Sequence, residues 1–417
     1  MGEYVGISIG NYDFIRQKNT FGDLLSLFSP NELTIEDCID EDGEKYERRY
    51  FTKTVRQAKR ALDVMGHTLS HSQVLFEYEL QTEIEYLRDD GEEEKINTLN
   101  IEFTFQLWVC AVKKYAAVVA RDEYVDGHFP LLEKEQACNE AERKVYASLP
   151  FNQDETFFGI DLWYSDKTIG DYWDVFRVIL EAFEDEEIVT LDYTNLYQGG
   201  WCNEYPEEDD YKASKTVVLT EGSTDARILG EAINVLYPDM SKYYSFIDFS
   251  TYDVQGSTNY LSHYLKAFVA AGIENRIIAL YDNDSAGLAE IKNFEKMTFP
   301  DNVRIMHLPD LDFCVEYPTI GPSGNTNENI NGRAGSIEMY VGKDILCNHG
   351  EYIPIRWKSY VDKVEAYQGE IISKSEVLKK FEEKAKKALK DGPILEEWNE
   401  LDILLNAIFS AFFEDYG

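Results

Sequence analysis

Between residues 215 and 310 apolar runs of strand length alternate with amphipathic stretches of helix length. "KTVVLTEG", "TDARILGEAINVLY", "YYSFIDFS", "STNYLSHYLKAFVAAG", "NRIIALYDND", "AGLAEIKNFEKM" and "VRIMHLPD" follow one another in that order. Strands that alternate with helices specify a parallel sheet covered by those helices, so this part of the chain is expected to be α/β.

Two of the strands stop abruptly on acids. "VVLTEG" (217–222) ends on Glu221, next to Gly222, and "IIALYDNDSAG" (277–287) on Asp282 and Asp284, with Gly287 three residues on. In a parallel sheet, chemistry gathers beyond the carboxyl ends of the strands, where neighbouring side chains converge. Asp225 follows Glu221 by one helical turn, and Gly222 lets the backbone turn tightly between them. Asp282 and Asp284 are two residues apart and share a side if the strand persists. Singly, such acids are ordinary helix caps. Together, four carboxylates in one crevice repel one another unless hard divalent cations neutralise them, which points to Mg²⁺ or Mn²⁺.

The rest of the composition narrows the partners. A formal charge of −38, from 78 acidic and 40 basic residues, makes the average surface repel a polyanion. Any phosphate-binding site must then be local, built from clustered Lys and Arg or from metal ions. Six cysteines are scattered without a C-x-x-C pair, against a zinc ribbon or a disulfide framework and for reduced, structural thiols. The opening "MGEYVGISIGNYDF" lacks a signal-peptide pattern, and Gly at position 6 argues against myristoylation. With no apolar run of membrane-spanning length, a soluble, cytoplasmic protein is expected.

Residues 1–205 read as a mainly helical N-terminal domain. "EYVGISIGNYDFIRQ" predicts a strand pair turning at Gly10-Asn11, "SPNELTIED" supplies turn chemistry, and from about residue 46 the pattern becomes helical. "TKTVRQAKRALDVMG" carries Val55, Ala58, Ala61, Leu62 and Met65 at helical spacing with Gly66 as a stop. "FTFQLWVCAVKKYAAVVARDEY" and "DYWDVFRVILEAF" are further helices. A Gly, Pro and acid-rich stretch places a boundary at about 200–212, before an α/β domain over 212–345. Residues 346–417 form a helical segment, with one amphipathic helix through Leu378, Phe381, Ala385 and Leu389 and another from Trp398 to Phe412.

"VVLTEGSTD" with "IIALYDNDSAG" resembles the Toprim domain shared by primases, topoisomerases and the overcoming-lysogenization-defect nucleases, over about residues 214–345. The resemblance implies a Rossmann-like sheet whose acids hold divalent metal. In the nuclease branch a Ser-x-Glu element adds metal contacts, and "GRAGSIEMY" offers Ser336 and Glu338 in the corresponding place. A basic residue further on steadies the phosphate there, and Lys358 and Lys374 both qualify. One ion would lie among Glu221, Asp225 and Asp282, and a second near Asp282, Asp284, Ser336 and Glu338, with Glu221 able to shuttle a proton. The implied activity is hydrolysis of DNA or RNA. Neither a topoisomerase nucleophile domain nor a primase zinc module is apparent.

The whole chain, including "EYVGISIGNYDF" and "RALDVMGHT", also resembles bacterial proteins with a HEPN/Toprim-associated N-terminal domain, often placed in anti-phage defence. Two alternatives therefore stand beside the nuclease: a metal-independent HEPN ribonuclease and a catalytically silent nucleic-acid-binding or scaffold subunit. The HEPN pattern, Arg-x(4–6)-His, is met by Arg121…His128 and by Arg60…His67. His67 and His71, four apart, could take a metal but lack an H-E-x-x-H acid, and capping or surface roles are expected of them. The basic cluster "KKFEEKAKKALK" reads as a solvated face with Glu/Lys pairs or as a guide for a nucleic-acid backbone, in which case Lys379, Lys380, Lys386 and Lys387 carry it. No P-loop motif occurs, so an ATPase would be a partner protein; a homo-oligomer is left open.

Overall fold

Gly10 adopts φ +62, and the chain turns there so that Tyr4–Ile9 (β1) pairs antiparallel with Tyr12–Lys18 (β2) and buries Val5, Ile7, Ile9, Phe14 and Ile15. This hairpin belongs to the first of two compact units, Met1–Ala213 and Ser214–Gly417, into which the chain divides. The structure is a computed structural model that describes residues 2–40, 42–91, 93, 104–120, 160–161, 172–248, 258–322, 324–348 and 350–413.

Among the described residues the first unit sets its helices beside a sheet that its sequence announced only by one hairpin. Leu33–Ile39 (β3), Lys45–Thr54 (β4), Ile160–Asp161 (β5) and Ile188–Asp192 (β6) join the hairpin in a six-stranded sheet of order β3-β4-β6-β1-β2-β5. The stretch from residue 46, expected to be helical, is strand up to Thr54. Its alternation is disguised because two of the inward positions of β4 are cationic. Arg49 and Lys53 are buried on either side of Phe51 and answered by carboxylates, Glu47 at 2.8 Å from Arg49 and Glu32 at 3.3 Å from Lys53. A period-two pattern built on Arg, Phe and Lys carries no apolar signal.

Helix Val55–Met65 (α1) starts where Thr54 and Gln57 form a capping box and stops at Gly66, φ +112. Leu69–Asp89 (α2), Phe105–Val119 (α3) and Tyr172–Ile179 (α4) follow. Helices α1, α3 and α4 occupy stretches whose helical apolar spacing predicted them, whereas α2 was not expected from the sequence.

In the second unit the alternation becomes Thr216–Leu219 (β7), Ser223–Leu236 (α5), Tyr244–Phe246 (β8), Thr258–Ala270 (α6), Ile277–Tyr281 (β9), Asn283–Asp284 (β10), Ser285–Ile291 (α7) and Val303–His307 (β11). Strands β11, β9, β7 and β8 form one sheet in that order, with every pairing parallel. All five residues of β9 are buried, as a central strand covered on both faces requires. Leu219, Ile277, Ala279 and Tyr281 pack with Leu261, Leu265, Phe294 and Val303 in the core. Chain order and spatial order part company between β7 and β9: β8 lies on one side of β7, while β9 and then β11 lie on the other. Such a reversal opens a crevice at the strands' carboxyl ends.

The remainder of the unit is less helical than its sequence suggested. Tyr317–Gly321 (β12), Gly324–Glu328 (β13), Ile355–Val361 (β17) and Ala366–Ile371 (β18) form a second sheet of order β13-β12-β17-β18. Ala334–Gly335 (β14), Cys347–Asn348 (β15) and Glu351–Tyr352 (β16) make short ladders between them. Strand β13, in a Gly- and Asn-rich stretch with no apolar alternation, buries none of its side chains and pairs by its backbone at the sheet's edge. Only then come the two expected helices, Lys374–Asp391 (α8) and Asn399–Phe409 (α9). Among the described residues no helix is long and apolar enough to cross a membrane, and Cys38, Cys110, Cys202, Cys314 and Cys347 are free thiols.

Candidate functional site

The acids of both motifs meet at the carboxyl ends of β7 and β9. Glu221 lies two residues beyond β7, and its Oε1 accepts the backbone N–H of Asp282, just beyond β9, at 3.0 Å. Gly222 is extended, and Asp225 in the first turn of α5 accepts its N–H at 2.8 Å. Asp225 is therefore a helix cap, and it also faces Glu221, Asp282 and Glu338 closely enough for their charges to act on it. Beyond β9 the backbone folds back so tightly that a Cβ on Gly287 would collide with the Asp282 carbonyl oxygen.

Asp284 caps α7 by accepting Gly287 N–H at 2.8 Å, and its other oxygen accepts from the Gln368 amide on β18. Strand β10 pairs antiparallel with β14, Asn283 opposite Gly335 and Asp284 opposite Ala334. That ladder delivers the next residues, Ser336 and Glu338, to the crevice. Ser336 Oγ donates to Glu338 Oε2 at 2.7 Å, and Lys374 Nζ lies 2.7 Å from the other oxygen. Glu338 is 0% exposed. Asn283 braces the turn from behind, donating to Asp310 at 2.7 Å and accepting Gly332 N–H at 2.9 Å.

Five carboxylates thus share a recess with one ammonium, and their acidities record it. Burial, then the charges of Glu221, Asp225, Asp284 and Glu338, hold the Asp282 carboxyl well above the usual range. Burial and Glu338 push Asp225 up to about 7, against the Gly222 N–H bond. Asp284 is raised by burial, with the Gly287 and Gln368 bonds opposing. For Lys374, burial alone would lower the pKa; Glu338, Asp282 and Asp225 outweigh it and raise it.

The two lysines left open by sequence are separated by the structure. Lys374, first residue of α8, is at the acids, whereas Lys358 on β17 pairs with Glu370 across the hairpin. The rest of α8 leads away from the crevice. At 1.5 Å per residue Lys379 is about 8 Å and Lys387 about 20 Å along the axis from Lys374. Lys379, Lys386 and Lys387 are exposed, Lys380 pairs with Glu376 at 3.2 Å, and Val377, Phe381, Ala385 and Ala388 form the buried face. The same helix packs on α5, with Arg227 paired to Glu382.

The donor set is all oxygen, which suits a hard cation. Among the described residues the one group of three His, Cys, Asp or Glu ligand atoms within 4.8 Å of one another lies elsewhere, at His67, His71 and Asp174. The crevice acids are therefore set wider than a closed cage.

Sequence reasoning did not single out Gln368, Asn283 or Asp174. Gln368 and Asn283 act through partners remote in sequence, and Asp174 lies in what reads simply as an amphipathic helix. Of the HEPN pairs, Arg121 and His128 lie outside the described residues, while His67 turns its Nδ1 to Asp174 at 3.2 Å.

A family model, HEPN/Toprim N-terminal domain 1, matches residues 1–215, and the chain belongs to that family. Membership associates it with nuclease-related or defence-related roles. Neither the curated proteins nor the solved structures contain a match to the chain.

Proposed function

We propose that the chain is a Toprim-type nuclease that hydrolyses phosphodiester bonds of DNA or RNA with Mg²⁺ or Mn²⁺, in bacterial defence against phage. The observation that carries this reading is the convergence of Glu221 and Asp282, joined through the Asp282 N–H, with Glu338 and Lys374 where the parallel sheet reverses its strand order. A recess this rich in carboxylates and this poor in cations has little other use than to hold hard metal ions.

Glu221, Asp225 and Asp282 would hold one ion, and Asp282, Asp284, Ser336 and Glu338 a second. When bound, such ions lower the pKa of water and neutralise the leaving oxygen. The chain's own groups supply the rest. Glu221 accepts a proton in the recess, and Gln368 and Gly287 fix the Asp284 carboxylate. Lys374 stays charged and half exposed, available to a non-bridging phosphate oxygen. The exposed lysines of α8 continue that positive path outward, which an acidic protein needs for a polyanion. An ATP-driven step would come from a partner protein.

The test is to incubate the full chain with supercoiled plasmid and with total tRNA in Mg²⁺, Mn²⁺ or chelator. Cleavage of either substrate that requires the cation supports the reading. RNA cleavage that persists in chelator would assign the activity to a HEPN-type ribonuclease, and no cleavage at all would leave a scaffold.

A further inference from the structure

In the first unit three ligand-bearing side chains arrive from two stretches of chain about a hundred residues apart. Gly66 ends α1 and turns the backbone so that His67 precedes the cap of α2; His71 sits in the first turn of α2 and Asp174 in the first turn of α4. His71 Nδ1 stands 2.8 Å from Asp174 Oδ1, and His67 Nδ1 stands 3.2 Å from Asp174 Oδ2. We propose that His67, His71 and Asp174 bind one divalent transition-metal ion of the Zn²⁺ or Co²⁺ class, with water in the remaining positions.

Charge is the first argument. The Asp174 side chain is only 3% exposed, and among the described residues the groups within 4 Å able to answer its charge are the two imidazoles, not Lys or Arg. A carboxylate so withdrawn from water requires a cation, whether an imidazolium or a metal. Spacing is the second. Two ligand atoms held about 2.05 Å from a tetrahedral ion are about 3.3 Å apart. One donor atom from each residue already lies within 4.8 Å of the other two, and because the imidazoles now face different oxygens of Asp174, the 49% exposed His71 ring is the one that must turn to share an ion.

The surroundings also hold the donors in place. Ser72 Oγ bonds both the Asp174 and the Thr68 backbone oxygens at 3.0 Å, and Thr68 Oγ1 accepts His71 N–H at 3.1 Å. Such secondary bonds orient first ligands in metal sites. The half-exposed His71 leaves an entry path, and two imidazole nitrogens with one carboxylate select a borderline ion over Mg²⁺. An ion here would clip together segments more than a hundred residues apart, where closing the chain gains stability.

The experiment uses the full chain, stripped with chelator and titrated with Co²⁺ by its visible d–d absorption, then with Zn²⁺ against a chromophoric chelator. Wild type and Asp282→Ala should each develop the d–d band of one nitrogen-ligated equivalent, whatever further Co²⁺ the crevice takes, and Zn²⁺ should raise the wild-type unfolding temperature by mass action. His71→Gln, at a half-exposed position where the fold is safe, should weaken binding by more than about a hundredfold, since loss of supporting residues alone costs about ten- to a hundredfold. Asp174→Asn should do the same. The proposal fails if no d–d band forms at stoichiometric Co²⁺. It fails equally if His71→Gln keeps the band or if Asp282→Ala loses it, because the ion then belongs to the sheet crevice.

Discussion

Asp282 and Asp174 are both carboxylates largely withdrawn from water, and the company they keep differs. Around Asp282 stand Glu221, Asp225, Asp284 and Glu338 with Lys374 as the counter-charge, a group in which negative charge is uncompensated and oxygen is the donor on offer. Around Asp174 stand two imidazoles, a group that can be neutral or positive and offers nitrogen. The first arrangement concentrates like charges, which protons or a bound cation would relieve. The second pairs its carboxylate with groups that can themselves become cations, so an imidazolium or a softer metal ion could balance it. Burial alone therefore says little about what a carboxylate does; the neighbours decide both its proton and its metal.

The comparison breaks most sharply on Asp282. Asp282→Ala should abolish cation-dependent cleavage, by about a thousandfold or more, while leaving the melting temperature of the chelated protein level or higher, because one member of a repelling group is gone and the backbone bond to Glu221 remains. A large loss of stability would make Asp282 structural instead.

A smaller effect separates the lysines. Lys374→Gln should lower the cleavage rate by about a hundredfold, the range expected when a charge stabilising a reacting phosphate is removed. Lys358→Gln, which loses only its pairing with Glu370, should stay within about twofold of wild type. Equal losses would show that nearness to Glu338 confers no special role.

Next is pH. Asp225 and Asp282 have folded pKa values raised above their unfolded values, so their contribution to stability is present below about pH 4 and is lost as pH rises, through about 7 for Asp225, with Asp282 shifted in the same direction. Thermal scans of the chelated chain should fall by about 5 °C between pH 5 and pH 8 on this account, for roughly 2 kcal/mol in a unit of this size. Mg²⁺ should flatten the fall and Asp225→Asn should reduce it. Mg²⁺ affinity should correspondingly rise with pH. A fall left unchanged by Asp225→Asn would remove the crevice acids as its cause.

The mildest change is in the salt dependence of substrate binding. Replacing Lys379, Lys380, Lys386 and Lys387 with Gln should flatten the plot of log affinity against log salt by about 0.7–0.9 for each phosphate that a lysine no longer neutralises, and leave cleavage at saturating substrate intact. An unchanged slope would make α8 a solvated face.

What could be read beforehand follows a physical line. Strands β7, β9 and β11 and helices α5–α7 were legible because apolar runs, periodicity and turn residues agree there, and the acids stood out because they interrupt buried strands. Strand β4 was hidden by Arg49 and Lys53 facing inward, and β13 by having nothing to bury. The preference for Lys374 over Lys358 was illegible because both sit in similar polar surroundings in the sequence, and only the path of the chain through β17 and β18 brings one to Glu338. Asp174 was missed for the same reason, since no local pattern announces a partner a hundred residues away.

The tight turn after β9 bears on how such a site would decay in descendants that abandon its chemistry. Asp282 can be exchanged without disturbing the backbone, but any side chain on Gly287 meets the Asp282 carbonyl, and one on Gly335 would come within 2.7 Å of the Asn283 carbonyl. Drift would erase the acids first and leave the glycines standing. A lapsed copy of this protein would then be recognised by a motif whose spacing and glycines persist around vanished carboxylates, a fossil of the turn after the reaction has gone.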